Sequence, residues 1–230
     1  MKPNRKEAAD IVRGTRDSSK AGWWRAAPAE SLSEHIDRLG RLESAADTIQ
    51  SYQPLMIPGM LQTFQYAASA IKATTPALPP EEVADRADRR LKRIDSLGFS
   101  SDRRAWFVLS EETLRRPVGG KAVLIEQLEH LLNVAALRPS VTLQVMPEAS
   151  EGHPGLSGGF TMYRIGGQRA VFTETLTGTL ISTRPEDIAA FSSAYDHVTA
   201  EALPPAASLE LIDTARRTLC QQLEMSIWSG

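Results

Sequence analysis

The chain has 230 residues, 42% of them hydrophobic and 23% charged, with a formal net charge of -2 at neutral pH. That length supports a well-buried core of one large domain or two small ones. The lack of a basic excess argues against DNA or RNA as the principal ligand, because phosphate neutralisation supplies most nucleic-acid affinity.

One cysteine, Cys220, excludes an intramolecular disulfide framework and suits a reducing cytosol. No charged-then-apolar leader and no apolar run of membrane-spanning length is present, so a soluble, cytoplasmic protein is expected. Residues 1–21 are polar and mixed in charge, loosest over Arg13–Lys20, and are expected to form a flexible lead-in. Ser31 and Glu34 have capping-box spacing. The steps Leu32, Ile36, Leu39, Leu42, Ala46 and Ile49 then predict one helix that runs until Pro54. Pro58-Gly59 is expected to open a second helix, with Leu61, Phe64, Ala68 and Ile71 on its apolar face.

After a proline-punctuated connection, Glu81 and Glu82 suit the first turn of a third helix, where carboxylates complement the macrodipole. Val83, Ala87, Leu91, Ile94 and Leu97 mark its buried side, and Gly98 its stop; Arg86, Arg89, Arg90, Lys92 and Arg93 fall on the exposed face. The character changes near residue 105. Ala105–Leu109 reads as a strand, Lys121–Ala136 as a helix with Val123, Leu124, Gln127, Leu128, Leu131 and Leu132 in its stripe, and Val141–Val145 as a strand. Three further strands are expected at Phe160–Ile165, Arg169–Leu176 and Thr179–Ser182, joined by Gly166-Gly167 and Thr177-Gly178 in tight hairpins. Two helices close the chain, Pro185–Leu203 and one that starts at Ser208.

Chemistry is sparse. The histidines His35, His130, His153 and His197 are far apart, and no metal-ligand spacing, phosphate loop or nucleophile elbow is present, so neither metal nor cofactor is expected. Glu111 and Glu112 follow a strand and precede Arg115 and Arg116; they read as a charged ligand site or as an ion-paired turn. His153 lies in a glycine-rich loop that either delivers a histidine to a pocket or simply connects two strands. Glu174 sits inside a strand, either inward as an acid or base, or on a solvated face. Trp23 and Trp24 are an apolar anchor or a stacking site. The arginines of the third helix, Arg86, Arg89, Arg90 and Arg93, are a dock for an acidic partner or a solvated face.

Several short segments together carry a resemblance. They include Gly22-Trp23-Trp24, Ile57-Pro58-Gly59-Met60-Leu61-Gln62-Thr63, Arg89-Arg90-Leu91-Lys92-Arg93, Arg115-Arg116-Pro117-Val118-Gly119-Gly120, Gln144-Val145-Met146-Pro147 and Thr173-Glu174. In order and spacing the chain resembles the domain of unknown function that follows the helix-turn-helix in actinobacterial, Xre-type, antitoxin-like transcriptional regulators. Only about twenty residues precede Gly22, too few for four or five DNA-binding helices at 1.5 Å rise per residue. The resemblance therefore implies a free-standing regulatory or sensor domain that binds a small protein partner encoded nearby or a small molecule, and does not contact nucleic acid or membrane. A homodimer is left open.

The expected fold is α+β. A helical part over residues 22–100 packs on a mixed, mostly antiparallel sheet over 105–183, with closing helices over 185–228, all in one domain. The alternative function is a metal-free and nucleotide-free biosynthetic enzyme of secondary metabolism, in which Glu112, His153 and Glu174 supply acid–base chemistry. That alternative requires at least two of the three to meet in one pocket.

Overall fold

A computed structural model describes residues 32–94, 103–175 and 178–228. Ser31, Trp23, Trp24, the lead-in, Leu97, Gly98 and Thr177 lie outside these residues, as does the side chain of Arg93. Among the described residues the elements run α1 (Leu32–Ala45), β1 (Thr48–Gln53), α2 (Phe64–Thr74), α3 (Pro80–Ile94), β2 (Arg104–Ser110), α4 (Lys121–Leu137), β3 (Val141–Met146), β4 (Phe160–Ile165), β5 (Gln168–Thr175), β6 (Gly178–Ser182), α5 (Pro185–Glu201) and α6 (Pro205–Trp228). One mixed sheet has the order β3-β2-β1-β4-β5-β6. The β1–β2 and β2–β3 pairs are parallel, and the three pairs from β1–β4 to β5–β6 are antiparallel. The arrangement is α+β, as expected.

The helix expected to reach Pro54 stops at Ala45, and residues 48–53 form a central strand instead. Ala46 and Ile49 continue the helical spacing, but Thr48-Ile49-Gln50-Ser51-Tyr52 also alternates. Ile49 and Ser51 face one side and Tyr52 the other, and all three are buried. In this position the segment gains a ladder on both edges, to β2 and to β4, which a continued helix would forfeit. The strand is reached by a turn in which Asp47 N–H donates to the Arg164 carbonyl at 2.7 Å.

The second helix also starts later than expected. Gly59–Leu61 is a single 3-10 turn, and α2 begins at Phe64 with Thr63 as N-cap, its hydroxyl accepting from Tyr66 N–H at 3.3 Å. Side chains clamp the segment between. Gln62 Nε2 donates to the Ile57 carbonyl at 2.7 Å, and the Tyr66 hydroxyl accepts from Ile57 N–H at 3.3 Å. Gln127, wholly buried on α4, accepts from Thr63 N–H and donates to the Leu61 carbonyl, each at 2.7 Å. A backbone stretch without ladder partners is thus satisfied from inside the protein.

The two-residue hairpin between β4 and β5 is as the glycine pair implies: Gly166 and Gly167 have φ of 54° and 86°, the left-handed values that such a turn needs at both positions.

The sheet separates two cores. Ile49, Phe107, Leu109, Leu143, Val145, Tyr163 and Ala170 pack on one face with Leu42 of α1, Tyr66 of α2, Leu124 and Leu128 of α4, and Ile212 of α6. On the other face Tyr52, Val108, Met146, Phe160, Met162 and Val171 meet Tyr195 and Val198 of α5 and Ala202 just beyond it. Among the described residues the second core takes its helical side chains from α5 and its end alone. A face covered by one helix leaves room beside it.

Candidate functional site

The carboxyl ends of β1, β2 and β3 lie at one end of the sheet, the usual place for ligands in parallel strand arrangements. Glu111 and Glu112 follow β2 there in a 3-10 turn, with Ser110 as its N-cap. Arg115 pairs with Glu111 and with Glu148 from the loop after β3, and Arg116 pairs with Glu112. Glu111 also accepts from Glu148 N–H at 2.9 Å. The carboxylates and guanidiniums of this turn therefore neutralise one another at the surface, where such pairs each contribute about 0–1 kcal/mol.

His153 lies in the loop over the same end, half-buried, with its ring edge-on to Tyr52 at a centroid distance of 5.8 Å. Its Nδ1 is buried and has no hydrogen-bond partner. Gly155 is required by this packing: a Cβ there would run into the Tyr52 ring and stand 2.8 Å from His153 Nδ1. Glu174, near the end of β5, is exposed and pairs in register with Thr179. Strand alternation gives it the face of Ala170 and Phe172, in the first core, whereas His153 packs on Tyr52, in the second. Glu112, His153 and Glu174 thus share no hydrogen bond or ion pair, and two of them stand on opposite faces of the sheet.

On α3 the cations are held locally. Arg86 pairs with Glu82, Arg89 with Asp85 and Lys92 with Asp88, each one helical turn apart, and Arg90 donates to Gln62 Oε1 at 2.9 Å. Among the described residues no three His, Cys, Asp or Glu side chains gather as a metal site, and no helix is long and apolar enough to cross a membrane.

His130 has a different consequence. It is half-buried on α4 with its Nε2 enclosed and unbonded. Burial first, and then the Arg138 charge, hold its pKa below the ordinary 6.5, against the opposing charge of Glu126. As the pH falls, the unfolded chain therefore takes up the His130 proton before the folded chain does. The stability this contributes is full above about pH 6.5 and is lost as the pH falls. His130→Leu is expected to flatten the acid side of the stability curve. Urea midpoints at pH 7 and pH 5 test this: wild type loses more between the two than the variant, and equal losses contradict it.

What the sequence did not reveal is a cleft of about 260 Å³ beside α5, on the half-covered face. Its walls carry Thr48 and Gln50 of β1, Arg104 of β2, Arg164 of β4, Arg169 of β5 and Ser192 of α5. Met162 and Ile188 give it an apolar side. Arg164 Nη2 donates to Thr48 Oγ1 at 2.7 Å. Chemically the cleft offers hydrogen-bond donors and positive charge on the sheet, beside an apolar side, and no carboxylate or histidine among the described residues lines it. The three arginines are scattered in sequence, and only the strand register brings them together.

A family model described as a domain of unknown function, DUF5753, matches residues 36–214. The chain belongs to that family. No curated protein and no solved structure matches it.

Proposed function

We propose that this DUF5753 domain is a regulatory or sensor module that binds a small molecule in the cleft between α5 and the sheet. The observation that carries the reading is that, among the described residues, one helix covers this sheet face. It leaves a concave, largely polar opening with Met162 and Ile188 as its apolar side, able to orient a small polar molecule by hydrogen bonds. The dispersal of Glu112, His153 and Glu174 favours binding over acid–base turnover. The resemblance to the regulatory half of Xre-type antitoxin-like regulators points the same way, and the lone Cys220 suits a reducing cytoplasm.

A small protein partner is the second reading, and the exposed leucines Leu55 and Leu156 favour it. They lie in neighbouring loops after β1 and before β4, brought together by the Tyr52–Phe160 pairing. A thermal-shift screen against a panel of cytosolic metabolites and against the small protein encoded next door tests both. A ligand at one hundred times its Kd stabilises the native state by about 2.7 kcal/mol. Under the first reading a metabolite raises the melting temperature of wild type but not of Ser192→Trp, whose indole fills the cleft. A shift with the protein partner alone, equal in wild type and Ser192→Trp, would overturn the first reading in favour of the second.

A further inference from the structure

In this cleft Thr48 pairs with Arg104 on one side and with Arg164 on the other, and Arg164 pairs with Arg169. Arg104, Thr48, Arg164 and Arg169 therefore stand on one line across four strands. Their sequence neighbours Ala105, Ile49, Ile165 and Ala170 all face the first core, so the four side chains face the α5 side. Adjacent strands are roughly 4.8 Å apart, which places the Arg104 and Arg164 backbones roughly 10 Å apart across Thr48.

Like charges directly opposed on neighbouring strands are destabilising. Arg164 and Arg169 are such a pair, and no carboxylate among the described residues forms an ion pair with either of them or with Arg104. Seven other arginines, Arg86, Arg89, Arg115, Arg116, Arg184, Arg216 and Arg217, each hold a carboxylate. From α5 the cleft receives Ile188 and Ser192, which are neutral. Three exposed guanidiniums without an ion-pair partner among the described residues thus stand on one line, open to an anion from solvent.

We infer that the cleft is a phosphoryl-group site that takes a small phosphorylated metabolite. The inference rests on the binding reading above and specifies its ligand. The phosphate lies over Thr48 between Arg104, Arg164 and Arg169, and the rest of the molecule lies against Met162 and Ile188. A phosphate fits better than a carboxylate: a phosphoryl group offers several charged oxygens to the guanidinium forks that line the cleft, where a single carboxylate satisfies one. A polyanion fits worse. A concave opening of about 260 Å³ suits a few heavy atoms, and the overall charge repels nucleic acid and anionic lipid.

Calorimetric titration with inorganic pyrophosphate at low ionic strength is the test. Wild type is expected to bind one equivalent, with citrate at least tenfold weaker. Arg164→Gln and Arg169→Gln are expected to weaken pyrophosphate at least tenfold each, and Arg217→Gln, on α6, not at all. Unliganded Arg169→Gln should melt at or above the wild-type temperature, because a repulsion is removed. That result separates lost binding from lost folding.

Unchanged affinity in both cleft variants would overturn the inference, as would citrate binding equal to pyrophosphate. Arginine-dependent binding to anionic vesicles or RNA with no response to pyrophosphate would overturn it in favour of a macromolecular surface. If pyrophosphate is silent while Ser192→Trp blocks a neutral metabolite, the phosphoryl inference fails and the cleft reading stands. If no metabolite at all is sensitive to Ser192→Trp, both fail.

Discussion

Gln127→Leu is expected to lower the unfolding free energy by about 2–6 kcal/mol. The Gln127 amide holds both Thr63 N–H and the Leu61 carbonyl at 2.7 Å and is completely buried. Leucine leaves both backbone groups enclosed without a partner, and each such group costs about 1–3 kcal/mol. The loss of a modest net hydrogen bond is the smaller part of the effect; the unsatisfied peptide groups are the larger. Urea denaturation followed by circular dichroism measures it. A change below about 1 kcal/mol would mean that the Ile57–Thr63 segment finds water or rearranges. The same experiment explains a piece of sequence: Gln62 and Thr63 of the Pro58–Thr63 motif are there to lock a chain segment that has no strand or helix to bond it.

Phe160→Ala is expected to cost about 3–5 kcal/mol, the usual range for an emptied aromatic core position. Phe160 is 3% exposed and joins β4 to α5, its ring 5.0 Å from Phe191, 6.4 Å from Tyr195 and 6.3 Å from Tyr52. Because α5 supplies the helical side chains of the second core, the cavity loosens this helix more than α4. Hydrogen exchange should therefore quicken over Ile188–Val198 well beyond any change over Leu124–Leu131. Binding in the cleft should weaken as well, since Ile188 and Ser192 form its α5 wall. Uniform acceleration across both helices would contradict this division of the core.

Where the hydrophobic period was long or bounded by turn residues, the sequence disclosed the fold closely. The stripe from Val123 to Leu132 identified α4, the alternation of Val141, Leu143 and Val145 identified β3, and Gly166-Gly167 separated β4 from β5. The central strand escaped because no glycine or proline interrupts residues 46–49, and Ala46 and Ile49 happen to continue the helical spacing of Leu39 and Leu42. Only pairing with β2 and β4, more than fifty residues away, decides the matter.

That omission hid the cleft. Without β1 between β2 and β4, nothing in the sequence aligns Arg104 with Arg164 and Arg169. For the same reason the sequence could not say that His153 and Glu174 occupy opposite faces. The Glu111–Arg116 cluster was visible, and its reading as an ion-paired turn is the one its partners support.

The most direct test of the account is amide chemical-shift mapping of the isotope-labelled protein during titration with inorganic pyrophosphate. Saturable shifts concentrated at Thr48, Gln50, Arg164, Arg169 and Ser192, with little change at Glu111–Arg116 or around His153, are predicted. Shifts centred on the Glu111–Arg116 turn or the His153 loop, with the α5 cleft unmoved, would contradict it.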